Sequence, residues 1–175
     1  MEVTVTTLAQ LDLIQGESSA DLDGLEKILR DNYTTRLDKN SPSTSTYSED
    51  SYCPPNPIVD SIVEEMKTAF EAVTGERIKV EGYWGHIHEK HMSTNTHNHH
   101  PHYVSAVLYV AIPEGSGTIV FRPSLNRYDD TAYASHFPPK RGRFFIFPSY
   151  LDHYVTRNQS DEKRISISFN FSKDE

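Results

Sequence analysis

Cysteine occurs once in this chain, at Cys53, so no internal disulfide can form and the fold must rest on its apolar core. A single unpaired thiol fits a reducing, cytoplasmic setting. No stretch approaches the roughly 18 successive apolar residues of a membrane-spanning helix, so no membrane association is expected. The opening Met1-Glu2-Val3-Thr4 has neither a basic n-region nor an apolar h-region, and no secretory signal is expected there. Positive charge is in deficit. With 17 basic against 25 acidic residues the net charge is −8, which argues against general nucleic-acid binding. Internal repeats are absent. What remains, 36% apolar and 24% charged over 175 residues, is enough for one domain with a proper core.

The pattern of apolar residues divides the chain in two. After a short strand, Val3-Thr4-Val5, and a loop, Ser18, Ser19 or Asp21 can cap a helix with the stripe Leu22, Leu25, Ile28 and Leu29, ending near Asp31-Asn32. The polar stretch 38–57 is too long for a plain connection and reads as an active-site lid or as a mobile surface loop. A second helix has Asn56 as N-cap, Pro57 at its first position and Gly75 as its stop, with Ile58, Ile62, Met66, Ala69, Phe70 and Val73 as the buried face. From Arg77 the period becomes two. Arg77–His88 reads as a long strand with Ile78, Val80 and Trp84 on one face, and residues 89–96 turn. Tyr103–Ile112 is a buried strand, and the turn Pro113–Gly117 leads into the returning strand Thr118–Phe121. A loop fills 123–142, and Gly142 then leads Arg143–Phe147. His153–Thr156 and Arg164–Phe171 complete the set. Two helices followed by seven or eight strands predict an α+β, mainly β chain, with the helices on one face of an antiparallel sandwich or barrel. Residues 1–76 would be helical support and loop, and 77–172 the β core.

Histidine is what the sequence has in excess locally. Of nine in total, four fall in His97-Asn98-His99-His100-Pro101-His102. Residues i and i+2 of a strand share a face, so His97 and His99 can converge on one ion, and the distant His153 is placed to complete the set. Three ligands on one side of a metal leave positions open for substrate and oxygen, the logic of non-heme iron sites. The same spacing also describes a solvated His-rich turn. Pro101 disrupts the strand, so His100 and His102 read as rim or surface residues. His86 and His88, with His91 nearby, form a rival cluster whose strand is expected to neighbour the metal-bearing one, with a substrate-pocket or structural role. Asp152 has the wrong parity to share a metal with His153.

Arg164 follows His153 by eleven residues, and a short hairpin would bring its guanidinium to the same pocket with Ser166 on the same face. A guanidinium beside a hydroxyl is a carboxylate clamp, while a cross-strand surface arginine is the plainer reading. In the last strand Ile165, Ile167, Phe169 and Phe171 face one way, and Arg164, Ser166, Ser168 and Asn170 the other. Turning that polar row inward is costly unless something polar binds there. Trp84, Tyr103, Phe144, Phe145 and Phe147 read as core.

Taken together these residues resemble the Fe(II)/2-oxoglutarate-dependent dioxygenases with a double-stranded β-helix (jelly-roll, cupin-like) core. The resemblance rests on His97-Asn98-His99, on His153 after the Gly-led strand Gly142–Pro148, and on Arg164-Ile165-Ser166. More narrowly, the chain is similar to a small group of microbial and viral 2-oxoglutarate oxygenases. They share His-x-His, a strand here Ser105-Ala106-Val107-Leu108-Tyr109, a Phe147-Pro148-Ser149…His153 segment and an ending here Arg164–Asn170. About residues 80–172 are covered. The resemblance implies Fe(II) on His97, His99 and His153. It also implies that Arg164, Ser166 and Tyr109 hold the far carboxylate of 2-oxoglutarate. O2 would be consumed, with ascorbate in support. A C–H bond of a small-molecule or peptide substrate would be hydroxylated, releasing succinate and CO2. The wider superfamily usually has Asp or Glu where His99 stands, so either His99 binds or water fills that position; binding by His99 is preferred. Two other readings stand beside this one. A three-histidine cupin enzyme, such as a thiol dioxygenase or isomerase, would not use 2-oxoglutarate. A non-catalytic jelly-roll binding module would hold no stoichiometric iron. Specificity is expected in the 38–57 and 123–142 stretches, since loops over a rigid scaffold carry recognition.

Overall fold

The computed structural model describes residues 12–32, 53–122 and 134–174. The expected strand at Val3-Thr4-Val5, most of the 38–57 stretch and the first part of the 123–142 loop lie outside those residues. The elements are β1 (Ile14–Glu17), α1 (Leu22–Asp31), α2 (Pro57–Thr74), β2 (Ile78–His88), β3 (Thr94–His97), β4 (Val104–Ala111), β5 (Ile119–Arg122), β6 (Ser135–Phe137), β7 (Arg143–Pro148), β8 (Asp152–Val155) and β9 (Arg164–Lys173).

Both helices start and stop where side chains satisfy their free backbone groups. The Asp21 carboxylate accepts from the Gly24 N–H, and the Asn56 side chain from the Val59 N–H, each at 3.0 Å. Gly75 closes α2 in the left-handed region, at φ 71°. The buried face of α2 is Val59, Ile62, Val63, Met66 and Phe70. Val73, expected on that face, is 65% exposed because the last turn reaches past the core that covers Phe70.

Two antiparallel sheets face each other, in the orders β1-β7-β4-β9-β2 and β3-β8-β5-β6. From β2 onward the chain passes back and forth between them, which is the jelly-roll arrangement. The helices cover the outer face of the five-stranded sheet. Beneath them lie Val104, Ala106, Leu108 and Val110 of β4 together with Ile165, Ile167, Phe169 and Phe171 of β9. Full burial of such a side chain is worth about 1.5–3 kcal/mol, so this layer anchors the fold. Between the sheets a second cluster includes Val107, Tyr109, Phe121, Phe145 and Phe147. The other face of β9 turns Arg164, Ser166 and Asn170 into that interior, as the alternation predicted. Among the described residues no helix is long and apolar enough to cross a membrane.

Four details differ from the pattern in the sequence. First, β4 and β5 are not a hairpin, because they belong to opposite sheets. The turn between them carries the chain across the sandwich, and Gly117 in that turn has φ 83°. Second, β2 carries a register shift between Val80 and Gly82. The shift reverses parity, so Val80, Tyr83 and Ile87 pack toward the helices while Trp84 and His86 turn to the opposite face. Trp84 therefore does not share a face with Ile78 and Val80. Third, β1, β3 and β6 arise where loops or turns were expected. Fourth, Tyr103 is 39% exposed, lying edge-on to Phe70 and donating its hydroxyl to Glu76, so it is not core.

The crossing turn gives a stability test. A Cβ at Gly117 would sit 2.5 Å from the Thr156 carbonyl oxygen, in a left-handed backbone, whereas a Cβ at Gly82 would meet open space. The left-handed conformation alone costs an L residue about 1–2 kcal/mol. Gly117→Ala is expected to lower the denaturant midpoint well below that of Gly82→Ala. Equal midpoints would remove this turn from the constraints on the fold.

Candidate metal centre

The four-stranded sheet brings two histidines face to face. His97, at the end of β3, is the register partner of His153 on β8. Their ring centroids are 4.3 Å apart. His99 joins them by a different route from the one expected. The strand ends at His97, so strand parity does not direct His99. Instead its backbone N–H donates to the Ser149 carbonyl at 2.7 Å, which folds the chain back over the site. The His99 ring is then 5.0 Å from His97 and 5.1 Å from His153. One ring nitrogen from each of the three lies within 4.8 Å of the others.

Hydrogen bonds on the far side of two rings fix which nitrogen is free. The Nδ1 of His97 donates to the Asn95 carbonyl and that of His153 to the Leu151 carbonyl, each at 2.8 Å. A carbonyl only accepts, so Nδ1 carries the proton and Nε2 keeps its lone pair for a ligand. Nε2 of His99 faces Nε2 of His153 at 3.3 Å, and a proton or a cation has to stand between two such nitrogens. Burial, reinforced by the neighbouring imidazoles, pushes His99 down to about 3 and His153 down to about 4. Both rings are thus neutral at pH 7, the state that donates to a metal.

One turn supports two of these rings. The carbonyl of Ser149 holds the His99 backbone, and that of Leu151 holds the His153 ring. A buried hydroxyl network ties this turn to the five-stranded sheet. Ser105 Oγ lies 2.7 Å from Ser149 Oγ and donates to Asn170 Oδ1 at 2.8 Å.

Across the cavity stands Arg164, 1% exposed, at the start of β9. Its Nε and Nη1 have no hydrogen-bond partner among the described residues, nor has the Tyr109 hydroxyl beside it. The guanidinium carbon lies 5.3 Å from the centre of the Tyr109 ring. Burial lowers the guanidinium pKa and raises that of the phenol, and each group opposes the other's shift. The hairpin expected to join His153 to Arg164 does not exist. β8 and β9 lie in different sheets, and the two residues meet across the sandwich. Ser166 lines the same cavity.

Residues 82–170 match the protein family described as "Putative 2OG-Fe(II) oxygenase". The chain belongs to this family of 2OG-Fe(II) oxygenases. Several solved structures share its fold. A prolyl-4-hydroxylase from Pseudomonas putida is 16% identical, with a TM-score of 0.61 over 96% of this chain and 91% of that one. A 2OG-Fe(II) oxygenase family oxidoreductase from Burkholderia pseudomallei is 14% identical, with a TM-score of 0.55, covering 69% of this chain. This chain spans 59% of that protein's length. The epimerase SnoN, solved with Fe3+, α-ketoglutarate and nogalamycin RO, is 15% identical, with a TM-score of 0.52 over 65% of this chain and 59% of that one. No curated protein matches the sequence.

In this oxygenase His97, His99, His153, Arg164 and Ser166, named from the sequence, line one cavity, and Tyr109 stands behind them with its ring 5.3 Å from the Arg164 guanidinium carbon. His100 and His102 are exposed, as expected. Asp152 instead accepts from the Asn98 side chain at 2.8 Å. The rival cluster divides. His86 and His88 line the cavity, while His91 is exposed in a turn at φ 70°. Their strand β2 does not neighbour β3; it pairs with β9 and faces the histidines from the opposite sheet. Trp84, read as core, has its ring 5.5 Å from His99. The bulge between Val80 and Gly82 aims all three side chains, and the isolated glycine inside the strand pattern is the local signal that could have found it.

The Ser105–Ser149–Asn170 network predicts a measurable effect. Supporting residues of this kind usually change metal affinity about 10- to 100-fold. Ser105→Ala is expected to weaken Co(II) or Fe(II) binding about tenfold with an unchanged circular dichroism spectrum. Unaltered metal affinity would show that the turn holds its place without the hydroxyls.

Proposed function

We propose that this protein hydroxylates a C–H bond of a small-molecule or peptide substrate, using Fe(II), 2-oxoglutarate and O2 and releasing succinate and CO2, with ascorbate supporting turnover in a cytoplasmic setting. One observation carries the reading. A guanidinium with no counter-ion among the described residues is buried at one end of a cavity whose other end gathers three imidazoles. Burying an unpaired charge costs several kcal/mol, so the site is built for an anion. A dicarboxylate with a metal-chelating head has the chemistry to answer both ends.

The donor set fits iron. His97, His99 and His153 would hold Fe(II) as three neutral nitrogen ligands on one side, leaving the other side for co-substrate and oxygen. When bound, the metal supplies oxygen activation coupled to decarboxylation of the 2-oxo acid. The chain's own residues do the positioning. Arg164 would bind the far carboxylate, with Ser166 and the Tyr109 hydroxyl as neutral donors. The carbonyls of Asn95 and Leu151 hold two ligand rings in one tautomer. Phe147, 4.8 Å from the His153 ring, and Ile119 give the cavity an apolar wall that limits water near the metal. His99 in place of a carboxylate makes the bound centre more positive by one charge, which favours an anionic co-substrate.

Anaerobic titration with Fe(II) and then 2-oxoglutarate is expected to produce a visible metal-to-ligand charge-transfer band saturating near one equivalent. Arg164→Ala should weaken or remove the band, and His153→Ala should abolish 2-oxoglutarate-dependent succinate formation. Chelating the metal should abolish turnover, and adding back Fe(II) should restore it. Full activity in His153→Ala would refute the ligand assignment.

A further inference from the structure

His88 is a buried polar group that the reading above leaves unused. It is 2% exposed and stands directly opposite Arg164 in the β2–β9 pairing. Directly opposed residues of an antiparallel pair share a face, with Cβ atoms about 4.5–5.5 Å apart. Both side chains line the same cavity. One ring nitrogen of His88 is occupied: Nε2 lies 2.9 Å from Thr94 Oγ1. The other, Nδ1, is buried with no partner among the described residues. Thr94 is itself 6% exposed, and its hydroxyl is hydrogen-bonded to His88. A buried hydroxyl proton needs an acceptor, and Nε2 is the one within reach. With Nε2 accepting, the imidazole proton resides on Nδ1. Two residues lining the cavity thus carry buried polar atoms without partners among the described residues, Nε and Nη1 of Arg164 and Nδ1 of His88, and a fourth such atom is Oη of Tyr109, whose ring lies 5.3 Å from the Arg164 guanidinium carbon. Three of the four are N–H donors and the fourth is a hydroxyl that can donate.

From this juxtaposition we propose that His88 is a co-substrate-binding residue. Its Nδ1–H donates to the same far carboxylate that Arg164 binds, and Thr94 holds the ring in the tautomer that makes this possible. The inference rests on the proposed use of 2-oxoglutarate. It extends the clamp from β9 and β4 to a third strand, so the carboxylate is gripped from both sides of Arg164. Thr94 is the first residue of the strand that ends in His97, so it links the anion end of the cavity to the metal end.

The test compares two acids on the Fe(II)-loaded full chain without oxygen, with affinities measured by calorimetry. The probes are 2-oxoglutarate and 2-oxovalerate, which share a head but differ in the far carboxylate. His88→Leu is expected to weaken 2-oxoglutarate about tenfold or more, as for a lost hydrogen bond to a charged group, and to leave 2-oxovalerate unchanged. His88→Asn, which keeps an N–H donor near the Nδ1 position, should recover part of the loss. Thr94→Val should weaken 2-oxoglutarate and Thr94→Ser should not. Unchanged 2-oxoglutarate affinity in both His88 variants, with Arg164→Leu still abolishing binding, would overturn the role of His88 and leave the proposed function standing. Equal losses for both acids would overturn it too, since the effect would then lie at the metal end. Failure of the unsubstituted protein to bind 2-oxoglutarate would remove both readings. Iron stoichiometry and the thermal transition of each variant establish that it is folded.

Discussion

A positive charge held inside the sandwich without a counter-ion among the described residues is the constraint around which this structure is arranged. Arg164 begins β9, a strand whose opposite face supplies Ile165, Ile167, Phe169 and Phe171 to the layer under the helices. The strand cannot rotate to expose the guanidinium without drawing four fully buried side chains into water. At about 1.5–3 kcal/mol for each of them, that restraint outweighs the several kcal/mol of leaving one charge unpaired. The apolar layer therefore pays for a binding site that stays ready for an anion.

The metal-binding end is held by a different kind of force. Its three imidazoles come from a strand end, a turn and a short strand, none of which carries much apolar area. Backbone carbonyls do the aligning: Asn95 and Leu151 accept from two rings, and Ser149 accepts from the His99 backbone. Ser105 and Asn170 then tie the Ser149 turn to β4 and β9. The two ends of the cavity are thus coupled through the same strands. β9 carries both Arg164 and Asn170, and β3 carries both Thr94 and His97. Solved structures that share this fold include a prolyl-4-hydroxylase and an epimerase, so the fold by itself does not name a reaction.

Much of this could be read from the sequence because the relevant signals are local. Caps at Asp21 and Asn56, the left-handed stop at Gly75 and the alternation of β9 each depend on a few adjacent residues, and each appears in the structure. The candidate site residues could be named because histidine clustering is a local feature and because the family resemblance pointed to Arg164, Ser166 and Tyr109. The routes by which they meet could not. His99 lies off its strand, His153 and Arg164 meet across sheets instead of along a hairpin, and β4 and β5 separate at Gly117.

The sequence by itself singled out the candidate site residues, the apolar face of β9 and the bounds of α2. Tertiary structure alone decided that β1, β3 and β6 exist, since strands of three or four residues form only where a neighbour supplies their hydrogen bonds. It also decided that Trp84, His86 and His88 face the histidines. A single-residue bulge after Val80 reverses the parity of everything beyond it; Gly82 permits such a bulge, and the pairing with β9 decides that it forms.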